Sequence, residues 1–194
     1  IKPNTWKETG ENGGGLTYNL GAHVIDQAVQ LFGMPEAVFA DIATLRTGGK
    51  VDDYFIIHLM KPVRMPEVKI TLKASYLMCE NEPRFVLHGT EGSYVKYGLD
   101  PQEADLTKGM LPDTPHWGEE DESQWGVLHT EKDGNVVRKP YPTLPGNYAA
   151  FYENIYQHIR NGEVLQSDAC GVLGVIRLIE AAWESSRTGD VIKL

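Results

Sequence analysis

Cysteine is scarce in this 194-residue sequence, which contains only Cys79 and Cys170. The two lie far apart, and neither has a second cysteine or a histidine at the spacing of a metal site. We therefore expect two buried free thiols, as in proteins of a reducing cytoplasm, rather than a disulfide. For the same reason we predict no bound metal.

Long apolar runs and clustered positive charge are lacking as well. No stretch approaches the roughly 20 apolar residues that a membrane span requires, and the N-terminus lacks the basic-then-apolar order of a signal peptide. Lys and Arg number 18 against 27 Asp and Glu, so the formal net charge is -9. Nothing in this balance attracts a phosphate backbone. We predict a cytoplasmic protein that binds neither membrane nor nucleic acid.

A dinucleotide-binding motif is the third absence, because no predicted strand is followed by Gly-x-Gly-x-x-Gly and a helix. The sequence also opens with Ile1 rather than Met, and Lys2-Pro3-Asn4 is already turn-like. We expect a fragment whose coding sequence continues upstream. With 41% hydrophobic and 23% charged residues, the chain can bury a sizeable core and need be no more than one domain.

Apolar spacing predicts one helix near the start of the chain and two near its end. Apolar residues recur at helical spacing from Leu20 to Phe32, and Gly33 and Pro35 supply the stop. Similar periodicity covers 147–160 and 169–186, and a shorter helix is predicted over 102–108 within a polar surface excursion. Strands, which show a period of two, are predicted over 36–45, 53–61, 68–74, 84–88, 93–97 and 191–194.

This order of elements predicts an α+β fold with an open antiparallel sheet whose helices pack on one face. Gly89-Thr90-Glu91-Gly92 is typical of a hairpin loop, and Lys132-Asp133-Gly134-Asn135 of a tight turn. A sheet covered on one face leaves the other needing a partner or a polar surface. We therefore expect a homodimer or homotetramer built on the open sheet face.

A glycine-rich segment near the start carries the clearest functional pattern. Gly13-Gly14-Gly15 permits close approach of the backbone to another group. Asn19, His23 and Asp26 follow at spacings of four and three, so one helical face presents an amide, an imidazole and a carboxylate. Such a stripe is suited to binding a polyhydroxylated substrate.

This segment resembles the start of the C-terminal domain of the Gfo/Idh/MocA oxidoreductases. The family motif reads Gly-Gly-Gly, three residues, Asp, any residue, Gly, any residue, His, two residues, Asp. Further similarity lies at Trp6-Lys7-Glu8 and over 31–35, 88–93 and 180–189, so the resemblance covers essentially the whole chain. It implies an upstream Rossmann domain, NAD or NADP bound mainly by that domain, and a sugar or polyol as substrate.

The resemblance also implies residue roles. His23 matches the family's active-site histidine, which hydrogen-bonds the reacting hydroxyl and accepts its proton, a role that suits an imidazole. Asn19, His23 and Tyr18 are expected to bind the substrate. Asp26 is expected to hold these residues in position without touching the substrate itself. Asn19 departs from the family's Asp, since an amide donates and accepts hydrogen bonds but takes up no proton.

The leading hypothesis is therefore the C-terminal substrate-binding and oligomerisation domain, over residues 1–194, of an NAD(P)-dependent oxidoreductase acting on a CH–OH group. The fragment alone is expected to be inactive. Two alternatives stay open. One is a non-catalytic, cofactor-sensing regulatory protein of the same fold, which Asn19 favours. The other is an NAD-dependent glycoside hydrolase, in which the oxidation is transient.

Overall fold

The computed structural model describes residues 5–10 and 13–194, so the predicted turn at Lys2-Pro3-Asn4 lies outside the described residues. The helices are, in chain order, a 3₁₀ turn at Trp6–Glu8, a π-helical turn at Thr17–Gly21, α1 at Ala22–Phe32, α2 at Gln102–Thr107, a 3₁₀ turn at Glu122–Gln124, α3 at Tyr148–Asn161 and α4 at Ala169–Thr188. The strands are β1 at Pro35–Ala43, β2 at Tyr54–Pro62, β3 at Ile70–Ser75, β4 at Phe85–Gly89, β5 at Gly92–Lys96, β6 at Gly126–Lys132, β7 at Asn135–Tyr141 and β8 at Ile192–Lys193.

The chain divides into two compact units, and each unit holds one four-stranded antiparallel sheet. Unit 1 comprises residues 1–78 and 167–194, and unit 2 comprises residues 79–166. The strand order is β3-β2-β1-β8 in unit 1 and β4-β5-β6-β7 in unit 2. The predicted α+β class with antiparallel strands is confirmed. The strands are nevertheless shared between two sheets, whereas the sequence analysis expects one.

Short turns close two hairpins in unit 2, β4 with β5 and β6 with β7, and β5 pairs with β6 across the longer segment 97–125. The predicted hairpin is present, with Gly89 opposite Gly92. Asp133 and Gly134 form a two-residue loop between β6 and β7, and both have positive φ, 53° and 73°. That conformation matches the twist of the flanking strands, so it closes a hairpin without distortion.

The core of unit 1 lies between its sheet and helices α1 and α4. Alternate residues of β1 and β2 face the helices in directly opposed pairs: Val38 with Leu59, Ala40 with Ile57, and Ile42 with Phe55. The helices contribute Ile25, Ala28, Val175, Leu178, Ile179 and Ala182 to the same buried cluster. The predicted packing of helices on one sheet face is therefore found in unit 1.

Two serines near the end of α4 attach that helix to β1. The short strand β8 pairs only with Ala37 and Val38 of β1, which leaves the N–H groups further along without a strand partner. Ser185 Oγ accepts a hydrogen bond from the Ala40 N–H at 3.0 Å, and Ser186 Oγ accepts one from the Ile42 N–H at 2.8 Å. Buried backbone groups require such partners, so the serines complete the strand edge.

Unit 2 is held by a buried polar side chain as well as by its sheet. Gln102, at the start of α2, is fully buried, and its Oε1 accepts hydrogen bonds from Trp117 Nε1 and from the Tyr148 N–H, both at 2.8 Å. Its Nε2 donates to the carboxylate of Asp100. The predicted surface excursion over 98–126 is thus anchored at its centre by hydrogen bonds.

The cysteines differ from the sequence-based expectation in one respect. Both Cys79 and Cys170 are free, but both are exposed, so the predicted burial is wrong. Cys79 lies in the polar stretch that follows β3, and Cys170 lies in the first turn of α4, before the buried residues of that helix begin at Val175. Within the described residues, no helix has the length and apolar character to cross a membrane.

Candidate functional site

The glycine-rich segment enters its helix through a contact that only glycine allows. Gly15 has φ +89°, and a β-carbon added there would lie 1.8 Å from Asp52 Oδ1. The backbone of Gly15 therefore packs directly against the carboxylate of Asp52, which precedes β2. Glycine is required at position 15 because a side chain there would collide with the Asp52 carboxylate.

Asp52 fixes the start of the π-helical turn. Its Oδ2 accepts hydrogen bonds from the Thr17 N–H at 2.6 Å and from Thr17 Oγ1 at 2.7 Å, and its carbonyl oxygen accepts from the Leu16 N–H at 3.0 Å. Burial raises the pKa of Asp52, and the negative charge of Asp53 raises it further, against the lowering effect of the Thr17 hydrogen bonds. Asp52 thus supplies the cap that the helix start requires.

Asp53, the next residue, binds a different segment of the chain. Its carboxylate accepts hydrogen bonds from the Leu45 N–H at 2.8 Å and from Arg46 Nε at 2.5 Å. Arg46 also reaches Glu8, with 3.1 Å between Nη2 and Oε2. Burial by itself raises the pKa of Asp53, but the hydrogen bonds from Leu45 and Arg46 outweigh it and hold the pKa below its ordinary value.

Asn19 lies in the π-helical turn and contacts a tyrosine from the end of the sheet. Its Nδ2 donates to Tyr76 Oη at 3.3 Å. The Tyr76 N–H donates to the Asp53 carbonyl oxygen at 2.9 Å, and the guanidinium of Arg46 lies 5.8 Å from the centre of the Tyr76 ring. π-helical turns recur at functional sites, and this one places the predicted substrate-binding amide beside a phenol. We call these two residues the Asn19–Tyr76 pair.

His23 and Asp26 are exposed on α1, whose opposite side buries Ile25 and Ala28. Asp26 Oδ1 accepts a hydrogen bond from Gln30 at 3.4 Å. Among the described residues, the imidazole of His23 has no hydrogen-bond partner, so its ring nitrogens are available to a ligand. The supporting role of Asp26 and the role of His23 stay predictions.

Tyr18 is half-buried and packs against the core of unit 1. Burial raises the pKa of its hydroxyl, and the nearby negative charges of Glu180 and Asp52 raise it further. The side chain therefore lies on the side of the π-helical turn that faces α4. Its predicted contact with substrate stays a prediction.

Sequence reasoning missed four residues of this site, which are Arg46, Asp52, Asp53 and Tyr76. One signal was present, because two acidic residues stand together at Asp52-Asp53 directly before an apolar strand. Buried carboxylates in such a position require partners. Nothing comparable marks Tyr76, which directly follows β3.

The glycine-rich turn does not fit the pyrophosphate of a dinucleotide. The N–H groups of Leu16 and Thr17 are already bonded to Asp52, and the Asp52 carboxylate occupies the space beside Gly15. The groups that remain available nearby are an amide, a phenol and an imidazole, which suit a ligand rich in hydroxyl groups. In the part of the chain that the structure describes, no three His, Cys, Asp or Glu side chains lie together to hold a metal.

Comparison with known proteins identifies the family. Residues 2–194 match the sequence profile of the Gfo/Idh/MocA oxidoreductase family, C-terminal alpha/beta domain. The chain belongs to this family. Its members among the relatives below are oxidoreductases, and the match confirms the resemblance that the glycine-rich segment indicates.

Two curated Gfo/Idh/MocA relatives cover nearly the whole chain. The scyllo-inositol 2-dehydrogenase (NADP(+)) IolW of Bacillus subtilis (strain 168) is 35% identical over 189 residues, which are 97% of this chain and 52% of IolW. The uncharacterized oxidoreductase YdgJ of Escherichia coli (strain K12) is 36% identical over 182 residues, which are 94% of this chain and 51% of YdgJ. The chain thus spans about half the length of these relatives.

Solved structures of the family share the fold. A candidate oxidoreductase from Bacteroides fragilis superimposes with a TM-score of 0.88 at 62% identity, over 93% of this chain and 53% of that one. The oxidoreductase yvaA from Bacillus subtilis gives a TM-score of 0.90 at 34% identity, over 100% of this chain and 54% of that one. Both support the fold described above.

The contact between Gly15 and Asp52 can be tested with a matched pair of alanine variants. Gly15→Ala and Gly13→Ala both place alanine at a positive φ, 89° and 85°, but no atom of the described residues lies within 4 Å of a β-carbon at Gly13. We expect Gly13→Ala to lower the free energy of unfolding by about 1–2 kcal/mol, and Gly15→Ala by at least about 2 kcal/mol more, through displacement of Asp52. Urea denaturation measures both, and equal losses would contradict the contact.

The pair of Asp53 and Arg46 predicts a pH-dependent stability difference. Removing one partner of a buried ion pair costs about 3 kcal/mol, so we expect Asp53→Asn to lower the free energy of unfolding by that amount at pH 7. The pKa of Asp53 is lower in the folded chain than when unfolded. Its contribution is therefore complete above the unfolded pKa, about 3.9, and is lost as the pH falls through the folded pKa.

Urea denaturation of wild type and Asp53→Asn over this pH range tests the expectation. Asp52 is present in both proteins, so its own titration largely cancels in the difference. Asp41→Asn is a suitable control, because Asp41 is exposed on β1, and we expect it to change stability by less than about 0.5 kcal/mol. A difference between wild type and Asp53→Asn that is independent of pH would rule out the charge-based explanation.

Proposed function

We propose that this chain is the substrate-binding and oligomer-forming domain of an NAD(P)-dependent oxidoreductase that acts on the CH–OH group of a sugar, a polyol or a related compound. It works with a nucleotide-binding Rossmann domain that holds most of the cofactor. Membership of the Gfo/Idh/MocA family supports this proposal. So does IolW, whose name specifies scyllo-inositol and NADP(+) and which is 35% identical.

The observation that carries the proposal is the exposed imidazole of His23, which has no hydrogen-bond partner among the described residues. His23 follows Asn19 by four residues, across the junction of the π-helical turn and α1. Oxidation of an alcohol requires a group that accepts the hydroxyl proton, and an exposed imidazole such as that of His23 is chemically suited to this role. The bound nicotinamide supplies the hydride acceptor. The Asn19 amide then holds another hydroxyl group of the substrate and so orients the reacting carbon.

The division of labour between the two domains follows from the glycine-rich turn. Because Asp52 occupies the space beside Gly15 and bonds the Thr17 N–H, this turn is not suited to the cofactor phosphates, which are assigned here to the Rossmann domain. Choice between NAD and NADP then belongs to the other domain. The two free cysteines fit the expected reducing cytoplasm.

Replacing His23 tests the catalytic role in the intact protein. General acid–base catalysis contributes about 10²- to 10⁴-fold to a rate, so we expect His23→Ala to lower kcat at least about 100-fold. The dissociation constant for the nicotinamide, followed by its fluorescence, should change less than about twofold. His158→Ala is the control, since it removes another exposed imidazole, and we expect it to leave kcat unchanged.

Three other outcomes would redirect the assignment. Unchanged kcat in His23→Ala would remove His23 from the mechanism. Nicotinamide binding without any alcohol-dependent reduction of the cofactor would favour the regulatory alternative. Release of sugar from an aryl glycoside, with no net change in the nicotinamide, would favour the glycoside hydrolase.

Exposed apolar surface on the sheets supports the oligomer. In unit 2, the residues Val86, Val95, Val127 and Pro140 lie directly opposite one another across all four strands, and Val86 is 47% exposed. In unit 1, the sheet face away from the helices carries Phe39 stacked on His58, with ring centres 6.3 Å apart. Apolar rows of this kind are typical of surfaces that a second copy covers.

Light scattering coupled to size exclusion tests the oligomer at micromolar concentration. We expect the intact protein to show twice or four times the mass of one chain, and Val86→Glu to shift it toward the monomer, because a charge in the apolar row opposes burial. Val164→Glu serves as the control, since Val164 is 85% exposed in the loop after α3, and we expect no change in mass. A strictly monomeric wild type would contradict the proposal.

A further inference from the structure

Tyr76 is held in place by contacts that leave the residue partly exposed. Its N–H is bonded to the Asp53 carbonyl oxygen at 2.9 Å, and its ring lies beside the guanidinium of Arg46 at 5.8 Å. Arg46 is itself fixed by Asp53 and Glu8. The residue nevertheless remains 41% exposed. A tyrosine held by these contacts and still partly exposed is in a position to bind a ligand without losing much conformational freedom.

Within the described part of the chain, the hydrogen bond of the Asn19–Tyr76 pair leaves both side chains with unused hydrogen-bonding capacity. Asn19 Nδ2 donates to Tyr76 Oη, so the phenol oxygen is the acceptor in this bond. The phenol's own O–H hydrogen is then available to donate, and the Oδ1 of Asn19 is available to accept. Because an alcohol both donates and accepts, the two groups together match one substrate hydroxyl.

The charges around Tyr76 favour a hydroxyl over a carboxylate as its ligand. The cation beside the ring is Arg46, and it already has two carboxylate partners, Asp53 at 2.5 Å and Glu8 at 3.1 Å. Their negative charges balance the guanidinium and leave an excess of negative charge. A substrate carboxylate would therefore be repelled by the net negative charge around Tyr76, whereas a neutral hydroxyl group would not.

We propose that Tyr76 is a substrate-binding residue, whose hydroxyl donates a hydrogen bond to a substrate hydroxyl other than the one whose proton passes to His23. Asn19 acts with it as the acceptor for the same group. This inference rests on the proposed function, and it assigns to an Asn–Tyr pair the place where the family motif has a carboxylate. The substrate it selects is a neutral compound with at least two hydroxyl groups.

The test uses the intact protein with scyllo-inositol and NADP⁺, and with a panel of sugars, other polyols and NAD⁺ if these give faster turnover. We expect Tyr76→Phe, which removes only the hydroxyl, to raise KM about tenfold, the effect of losing roughly one hydrogen bond of 1.4 kcal/mol. The dissociation constant for the cofactor should stay within about twofold. Tyr97→Phe, at a residue 54% exposed after β5, is the control and should match wild type.

A monodeoxy analogue of the substrate separates binding from a merely structural role. If Tyr76 donates to the missing hydroxyl, wild type and Tyr76→Phe should have the same KM for one such analogue, since neither can make the bond. Asn19→Ala should raise the KM for the full substrate as well. The fold increase in KM of the double variant Asn19→Ala/Tyr76→Phe should be smaller than the product of the fold increases of the two single variants.

The outcomes distinguish this inference from the proposed function. A wild type that reduces neither nicotinamide with any alcohol of the panel would overturn the proposed function and the role of Tyr76 with it. If the wild type is active and the KM of Tyr76→Phe lies within twofold of the wild-type KM, only the role of Tyr76 is overturned. So would a Tyr76→Phe penalty that is equally large for every monodeoxy analogue.

Discussion

The site depends on two adjacent carboxylates that bind different parts of the chain. Successive side chains of an extended segment point to opposite sides, so Asp52 reaches the helix start at Thr17 and Asp53 reaches Arg46. Their environments push the two pKa values in opposite directions, upward for Asp52 and downward for Asp53. One dipeptide therefore fixes the glycine-rich segment on one side and the loop after β1 on the other.

The positions of Tyr76 and Asn19 depend on their contacts with these buried residues. The Tyr76 N–H donates a hydrogen bond to the Asp53 carbonyl oxygen, and the Tyr76 ring contacts the guanidinium of Arg46. Asn19 follows the Thr17 backbone that Asp52 holds, and meets Tyr76 at 3.3 Å. Side chains held in this way have less conformational freedom to lose, which lowers the entropic cost of any contact they make with a ligand.

Sequence periodicity predicted most of the fold, because buried faces leave a regular pattern. The alternation that pairs Val38 with Leu59, and the helical spacing around Leu178, can both be read from the letters. The division into two sheets left no such trace, since every strand has the same pattern whichever neighbour it pairs with. In the site, the glycine motif predicted Asn19 and His23, whereas the partnership with Tyr76 depends on tertiary contacts across 57 residues.

The discontinuity of unit 1 has a consequence for biosynthesis. Its sheet strands β1 to β3 are complete by residue 75, but the helix that covers them, α4, is made only after all of unit 2. On the ribosome, the apolar side of that sheet stays uncovered by α4 while residues 79–166 emerge and pair locally into their hairpins. Nascent chains with such exposed apolar surface tend to aggregate or to recruit chaperones. Unit 1 therefore starts to be synthesised before unit 2 but can complete its core only after unit 2 has been made.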